Sequence, residues 1–160
     1  MIIDDKYLIA YFGKQSEYYL EKYKSYKSGD KFSFSAWAFL IGVLWFLYRK
    51  LWFESLVIIL IYFIIERIGN AIFETQLFKS DNIMLAYLLI RFLLAITFGF
   101  VGNHLYLKNA EKKINKVLIR ISNEDERIRT LTKKGGVSWA PYILIFVEVC
   151  VLILLNAELI

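Results

Sequence analysis

The chain has 160 residues, of which 58% are hydrophobic and 18% aromatic, with a mean hydropathy of +0.48 and a formal net charge of +5. Soluble domains hold about 45–50% apolar residues; here the excess is gathered in blocks with the basic residues outside them, which points away from a soluble domain and towards transmembrane segments. Length allows one domain at most, and a single cysteine (Cys150) and a single histidine (His104) exclude an intrachain disulfide and the common metal and triad constellations.

The first thirty-one residues carry charges throughout and contain no apolar core of a signal peptide. Membrane insertion is therefore expected to be directed by internal segments. Tyr7, Tyr11, Tyr18, Tyr19, Tyr23 and Tyr26 are interspersed with charges, and Tyr19, Tyr23 and Tyr26 fall at i, i+4 and i+7, one face of a helix. Residues 1–31 are thus read as a cytoplasmic amphipathic helix that either lies on the inner leaflet or packs on the protein's own cytoplasmic loop. Basic and aromatic residues together can also stack on nucleic acid, but nothing resembles a nucleic-acid-binding module, so nucleic acid is a disfavoured partner.

Four apolar blocks follow, over 34–48, 51–65, 83–102 and 140–156. A spanning helix needs roughly 17–25 residues to cover about 30 Å of hydrocarbon. The third block fits this length, the fourth fits at the lower limit, the second needs residues from its flanks, and the first is too short. Cytoplasmic loops of membrane proteins are enriched in Lys and Arg, and that bias decides the topology. If the first two blocks formed a hairpin, the most basic loop, 108–134, would face outward. If they make one net crossing, the basic N-terminal tail, Arg49–Lys50 and the 108–134 loop all become cytoplasmic, leaving only Arg67 and Lys79 outside. Three crossings are expected, with 34–48 as a re-entrant or interfacial segment or the first arm of a long kinked helix. Trp37, Trp45, Tyr48 and Trp52, with Arg49 and Lys50, are the candidate interfacial aromatics and charges, because amphipathic rings settle at headgroup level.

Beyond the third block, Leu107, Ala110, Ile114, Val117, Leu118 and Ile121 recur at helical spacing. A second helix begins at "SNEDERIRTL": Ser122 or Asn123 can cap it, the acidic residues suit its N-terminus, and Lys133–Lys134 suit its C-terminus before Gly135–Gly136 stop it. A cytoplasmic helical hairpin over 104–136 is expected between spans. Ser138 and Pro141 then open the last span.

The order of "FGKQSEYYLEKY", "FSAWAFLIGVLWFLYRKLW", "GNHLY" and a late "GG" resembles a family of small bacterial inner-membrane proteins, domain-of-unknown-function family 2628. The resemblance is densest over 11–53 and thinner over 99–136. It rests on Phe12-Gly13, Tyr18-Tyr19, Trp37-Ala38-Phe39, Trp45 and Tyr48-Arg49-Lys50. The family usually has Gly-Pro where this chain has Gly42-Val43. The resemblance implies a bacterial inner-membrane location and no assigned activity, and it brings no catalytic residues.

Two charges interrupt the apolar blocks. Arg91 lies inside the third and Glu148 inside the fourth. With the two spans running in opposite directions both fall near the midplane, and intramembrane charges generally find a partner or a watery cavity. An intramembrane Arg91–Glu148 pair is therefore expected, either holding two helices in register or lining a polar pathway, with Glu54 extending it or pairing with Arg49 or Lys50. "GFVGN" places Gly99 and Gly102 three apart, one short of the spacing that lets helices approach closely.

These readings describe an all-α integral membrane protein with three spans, one re-entrant or interfacial segment and a cytoplasmic helical hairpin, divided into the N-terminal helix 1–31 and a membrane domain 32–160. The expected role is non-enzymatic, without cofactor or metal. It is that of a small scaffold or accessory protein at the bacterial inner membrane, N-terminus cytoplasmic, contacting anionic headgroups and a protein partner or a second copy of itself. The alternative is an oligomeric pore or minor transporter with Arg91 and Glu148 in its pathway.

Overall fold

The computed structural model describes residues 3–30, 32–74, 81–143, 145–146 and 150. Helix α1 (Asp5–Phe12) opens where the Asp4 side chain accepts from the Lys6 N–H, and stops at Gly13, whose φ of 64° and ψ of −133° suit only a residue without Cβ. A 3₁₀ turn (Gly13–Gln15) redirects the chain into α2 (Ser16–Lys27). The expected N-terminal helix is thus two helices, because Gly13 breaks it. Its tyrosine stripe faces inward: Tyr19 and Tyr23 are buried and Tyr26 half-buried. Helix α1 packs on α7 (Glu124–Lys134) and α2 on α6 (Asp81–Arg120).

The 34–48 block is neither a span nor one arm of a long helix. Ser35 caps α3 (Ala36–Ile41), and Gly42, at φ 51° and ψ −126°, separates it from α4 (Val43–Tyr48). No proline is needed for that break; the glycine supplies it. Lys50, with φ 57°, then turns the chain into α5 (Trp52–Glu74). The α3–α4 wedge packs against α6 through two missing side chains. A Cβ at Gly99 would meet the Phe34 ring at 2.5 Å, and one at Gly102 would meet the Ala38 Cβ at 2.8 Å. The Ser35 N–H donates to the Gly99 carbonyl at 2.7 Å, which closes the seam.

Helix α6 is continuous over forty residues. Its lower part presents Leu107, Ala110, Ile114 and Val117 to the core, the stripe expected from helical spacing. Asn123 caps α7, its Oδ1 accepting from the Glu126 N–H at 3.0 Å. Helix α7 ends where the Gly135 N–H donates to Leu131 O. Next, the Gly136 N–H donates to Tyr11 O and the Ser138 N–H to Tyr48 O, so this stretch straps α1 to α4. The core so formed is aromatic: Phe12, Tyr19 and Tyr106 lie 4.7–5.8 Å apart by ring centroids, with Tyr11 and Trp45 against Tyr106. Such pairs add about 0.5–1.5 kcal/mol each beyond area burial.

Helices α5 and α6 run antiparallel as a stem leaving this head. Asn109 Nδ2 donates to Glu54 Oε1, Tyr62 meets Phe98, and Gly69 faces the Tyr87 ring, so as one sequence number rises the other falls. Phe53, Leu56, Leu60, Phe63 and Ile64 on α5, and Leu85, Leu88, Phe92 and Leu93 on α6, are all exposed. The described residues are helical or irregular, with no strand. Among them one helix, Leu85–Arg120, is long and apolar enough to cross a membrane, against the three spans expected. Helix α5 carries Glu54, Glu66 and Arg67 within its apolar sequence, and much of the 140–156 block lies outside the described residues.

Candidate functional site

Arg49 follows the last turn of α4, its N–H donating to Trp45 O at 2.9 Å. The helix thereby points the side chain into the head, where only 3% of the residue remains exposed. The guanidinium carbon lies 4.5 Å from the centre of the Tyr19 ring, 5.1 Å from Tyr106 and 5.6 Å from Tyr48. Nη2 donates to Gln15 Oε1, whereas Nε and Nη1 are buried without a well-formed hydrogen bond, the Tyr19 and Tyr106 hydroxyls being the acceptors the guanidinium interacts with. Among the described residues no carboxylate pairs with Arg49; the ion pairs are Lys6 with Asp4 and Glu124, Lys24 with Asp5, and Lys27 with Glu111. Ring faces attract a desolvated cation by about 2 kcal/mol or more, and the N–H groups without a well-formed hydrogen bond oppose that gain. Burial holds the Tyr19 hydroxyl above its ordinary value, with the Arg49 charge acting in the opposite direction.

Two cavities meet at this residue. One, of about 630 Å³, is bounded by Lys14, Lys22, Glu17, Trp37, Trp45 and Arg49. The other, of about 360 Å³, lies between Gly13, Tyr48, Arg49, Thr132 and Trp139. Gln15 lines both, so the Gln15–Arg49 contact is the partition between them.

A second cluster lies where α5 leaves the head. Lys50, Lys113, Lys116, Lys133 and Lys134 surround Trp52 and a recess of about 420 Å³. Lys50 Nζ donates to the carbonyls of Lys133 and Gly135, and Lys113 Nζ to that of Lys50. These bonds hold two lysines of the cluster in place. Lys116, Lys133 and Lys134 remain exposed, as does Trp52.

The six residues read as interfacial therefore divide. Trp37 and Trp52 are exposed; Tyr48 and Lys50 are half-buried. Trp45 and Arg49, 3% exposed each, belong to the core of the head rather than to an interface. Arg91 is exposed on α6, with its guanidinium 5.3 Å from the Tyr87 ring. Glu148 lies outside the described residues, so the expected pair is seen from one side only. Glu54 accepts from Asn109 rather than from Arg49 or Lys50. His104 stacks on Phe32 and meets Tyr26 edge-on. Sequence reasoning missed the cage, whose one local signal was an arginine directly after an aromatic helix. It also missed Asn103, fully buried, whose Nδ2 donates to Tyr18 and Ser33.

Residues 12–112, from the end of α1 through most of α6, match the family described as "Protein of unknown function (DUF2628)". No curated protein and no solved structure matches the chain.

Proposed function

The chain belongs to the DUF2628 family, and on that premise we propose that it is a non-enzymatic scaffold or accessory protein of the bacterial inner membrane, a helical head held against the cytoplasmic face by an apolar stem. One observation carries this reading: the exposed apolar side chains of the stem end where the lysine cluster around Trp52 begins. Hydrocarbon accepts the first group, and burial there gains about 1.5–3 kcal/mol per large side chain. Anionic headgroups accept the second, at about 1 kcal/mol per lysine near the surface, and the Trp52 ring suits the boundary between them. From Leu85 to Leu107 helix α6 covers roughly 33 Å at 1.5 Å per residue, enough for one bilayer. The three-crossing arrangement, with α5 and the 140–156 block as the other spans and the N-terminus cytoplasmic, follows the distribution of lysine and arginine. The head is the part free to meet a protein partner or a second copy.

Alkaline carbonate extraction of native membranes and vesicle binding test this reading. The chain should stay in the carbonate pellet. In uncharged detergent, Lys116→Glu/Lys134→Glu should weaken capture by anionic nanodiscs while leaving thermal stability unchanged. Release of the wild type by carbonate, or capture that ignores both headgroup charge and the substitution, overturns it.

A further inference from the structure

A buried arginine with two nitrogens lacking a well-formed hydrogen bond, no carboxylate and a cavity on either side has the geometry of an incomplete ion pair. Removing a cation from water without a counter-charge is costly, and the rings of Tyr19, Tyr48 and Tyr106 compensate it only in part. Lys14 and Lys22 add two positive charges to the larger cavity, against the single carboxylate of Glu17. Among the described residues neither lysine has an ion-pair partner, although Lys22 lies over the Tyr18 ring at 5.6 Å. Most of the remaining wall is aromatic, Phe34, Trp37 and Trp45 among it, with Ser35 and Ala36 between. The position of Gln15 indicates where an acceptor belongs: its amide oxygen already accepts a hydrogen bond from Nη2, at the end of the guanidinium where Nη1 lacks a well-formed bond.

We propose that this cavity binds a phosphate group. Its oxygens displace the Gln15 amide and take the Nη1–Nη2 fork of Arg49 in the bidentate manner that guanidinium favours, with Lys14 and Lys22 closing over the outer oxygens. Gln15 is the residue placed to move. Its side chain is exposed, and it ends a short 3₁₀ turn bounded by Gly13 at positive φ. The Arg49 cage is rigid by comparison, since each of its ring walls belongs to a different helix or helix end. Two sources share this chemistry: a free phosphate or small phosphate ester, and the phosphodiester of an anionic phospholipid whose chains leave past exposed Trp37 and Leu40. The site is independent of the lysine cluster around Trp52, with which it shares no residue.

The test is calorimetric titration and thermal unfolding of the full chain in an uncharged detergent at constant ionic strength. The ligands are inorganic phosphate, short-chain phosphatidylglycerol and short-chain phosphatidylcholine. Phosphate or the glycerol lipid should bind and raise Tm, as any ligand selective for the folded state does. Binding by inorganic phosphate identifies the free source, and binding by the glycerol lipid alone identifies the headgroup. Lys14→Ala/Lys22→Ala, the first exposed and the second half-buried, should weaken that binding about tenfold, the equivalent of about 1.4 kcal/mol, without loss of fold. Gln15→Ala should tighten it, because the acceptor to be displaced is gone. If Gln15 only braced Arg49, the same substitution would lower Tm and leave titration flat. Absence of binding by the wild type, equal binding of the choline lipid, or binding unchanged in the double variant each overturns the proposal. Lys108→Ala/Lys112→Ala, exposed and outside both lysine groups, serves as the control that should leave this titration unaltered.

Discussion

At the scale of single residues, the head is held by positions where backbone meets backbone. A Cβ on Gly135 would lie 2.0 Å from the carbonyl oxygen of Tyr11, and the neighbouring Gly136 N–H donates to that same oxygen at 2.7 Å. Backbone cannot swing aside as a side chain does, so Gly135→Ala should unseat the strap between α1 and α4, costing about 3 kcal/mol or more. Gly42→Ala is a different experiment, because nothing stands within 4 Å of the added Cβ and only the φ of 51° objects. There the loss should be about 1–3 kcal/mol. Thermal unfolding in detergent separates the two, and a Gly135→Ala protein as stable as wild type would refute the strap. The buried phenols make a further prediction. Burial raises Tyr11 and Tyr19 above the ordinary 10.0, so the folded state keeps protons that the unfolded chain releases. Stability linked to these groups is complete below pH 10 and falls as pH rises beyond it. Unfolding followed between pH 9 and 12 should show a decline that Tyr19→Phe reduces.

Among elements, α7 depends most on its ends. Its sequence is polar, and Leu131 is its one fully buried side chain, so it packs on α1 and the core through a narrow face and the caps matter correspondingly more. Asn123→Ala removes the acceptor for the Glu126 N–H and should cost about 1 kcal/mol. Exchange of the amides in the first turn of α7 should accelerate by roughly the matching fivefold factor, with those of α6 at Ile114 and Val117 unchanged. The side-chain bonds of Arg127 to the carbonyls of Leu118 and Ile121 retain the turn between α6 and α7, which confines the effect to the cap. The Lys6–Glu124 pair, exposed on both sides, adds little in comparison.

For the molecule as a whole, the contacts of the head constrain any membrane topology. Lys50 Nζ reaches the carbonyl oxygens of Lys133 and Gly135, and Ser138 N–H that of Tyr48. The chain near 50 and the chain near 135 therefore share one side of any bilayer the chain crosses, whatever passes between them. Reporter fusions after Lys50 and after Lys134 should give the same compartment, expected to be the cytoplasm. Opposite signals would mean that the head does not assemble as described.

Part of this was legible in local sequence. The stripe from Leu107 to Val117, the cap at Asn123 and the stop at Gly135 are set by spacing and short-range hydrogen bonds, which neighbouring residues specify. Gly99 and Gly102 fall one short of the spacing for close helix approach, and nothing in that spacing said that Phe34 and Ala38 would pack on them. Periodicity also placed Tyr19 and Tyr23 on one face while leaving open what that face meets. The length and charge of the apolar blocks left open whether 34–48 stood apart from α5 or ran into it, and the breaks at Gly42 and Lys50 decided that. Where Arg49 goes was decided by tertiary structure alone. An arginine after an apolar run reads as an interfacial charge, because sequence records the cost of burying it and not the compensation. That compensation comes from Gln15, Tyr19 and Tyr106, which are distant along the chain and converge only when α2, α4 and α6 pack together.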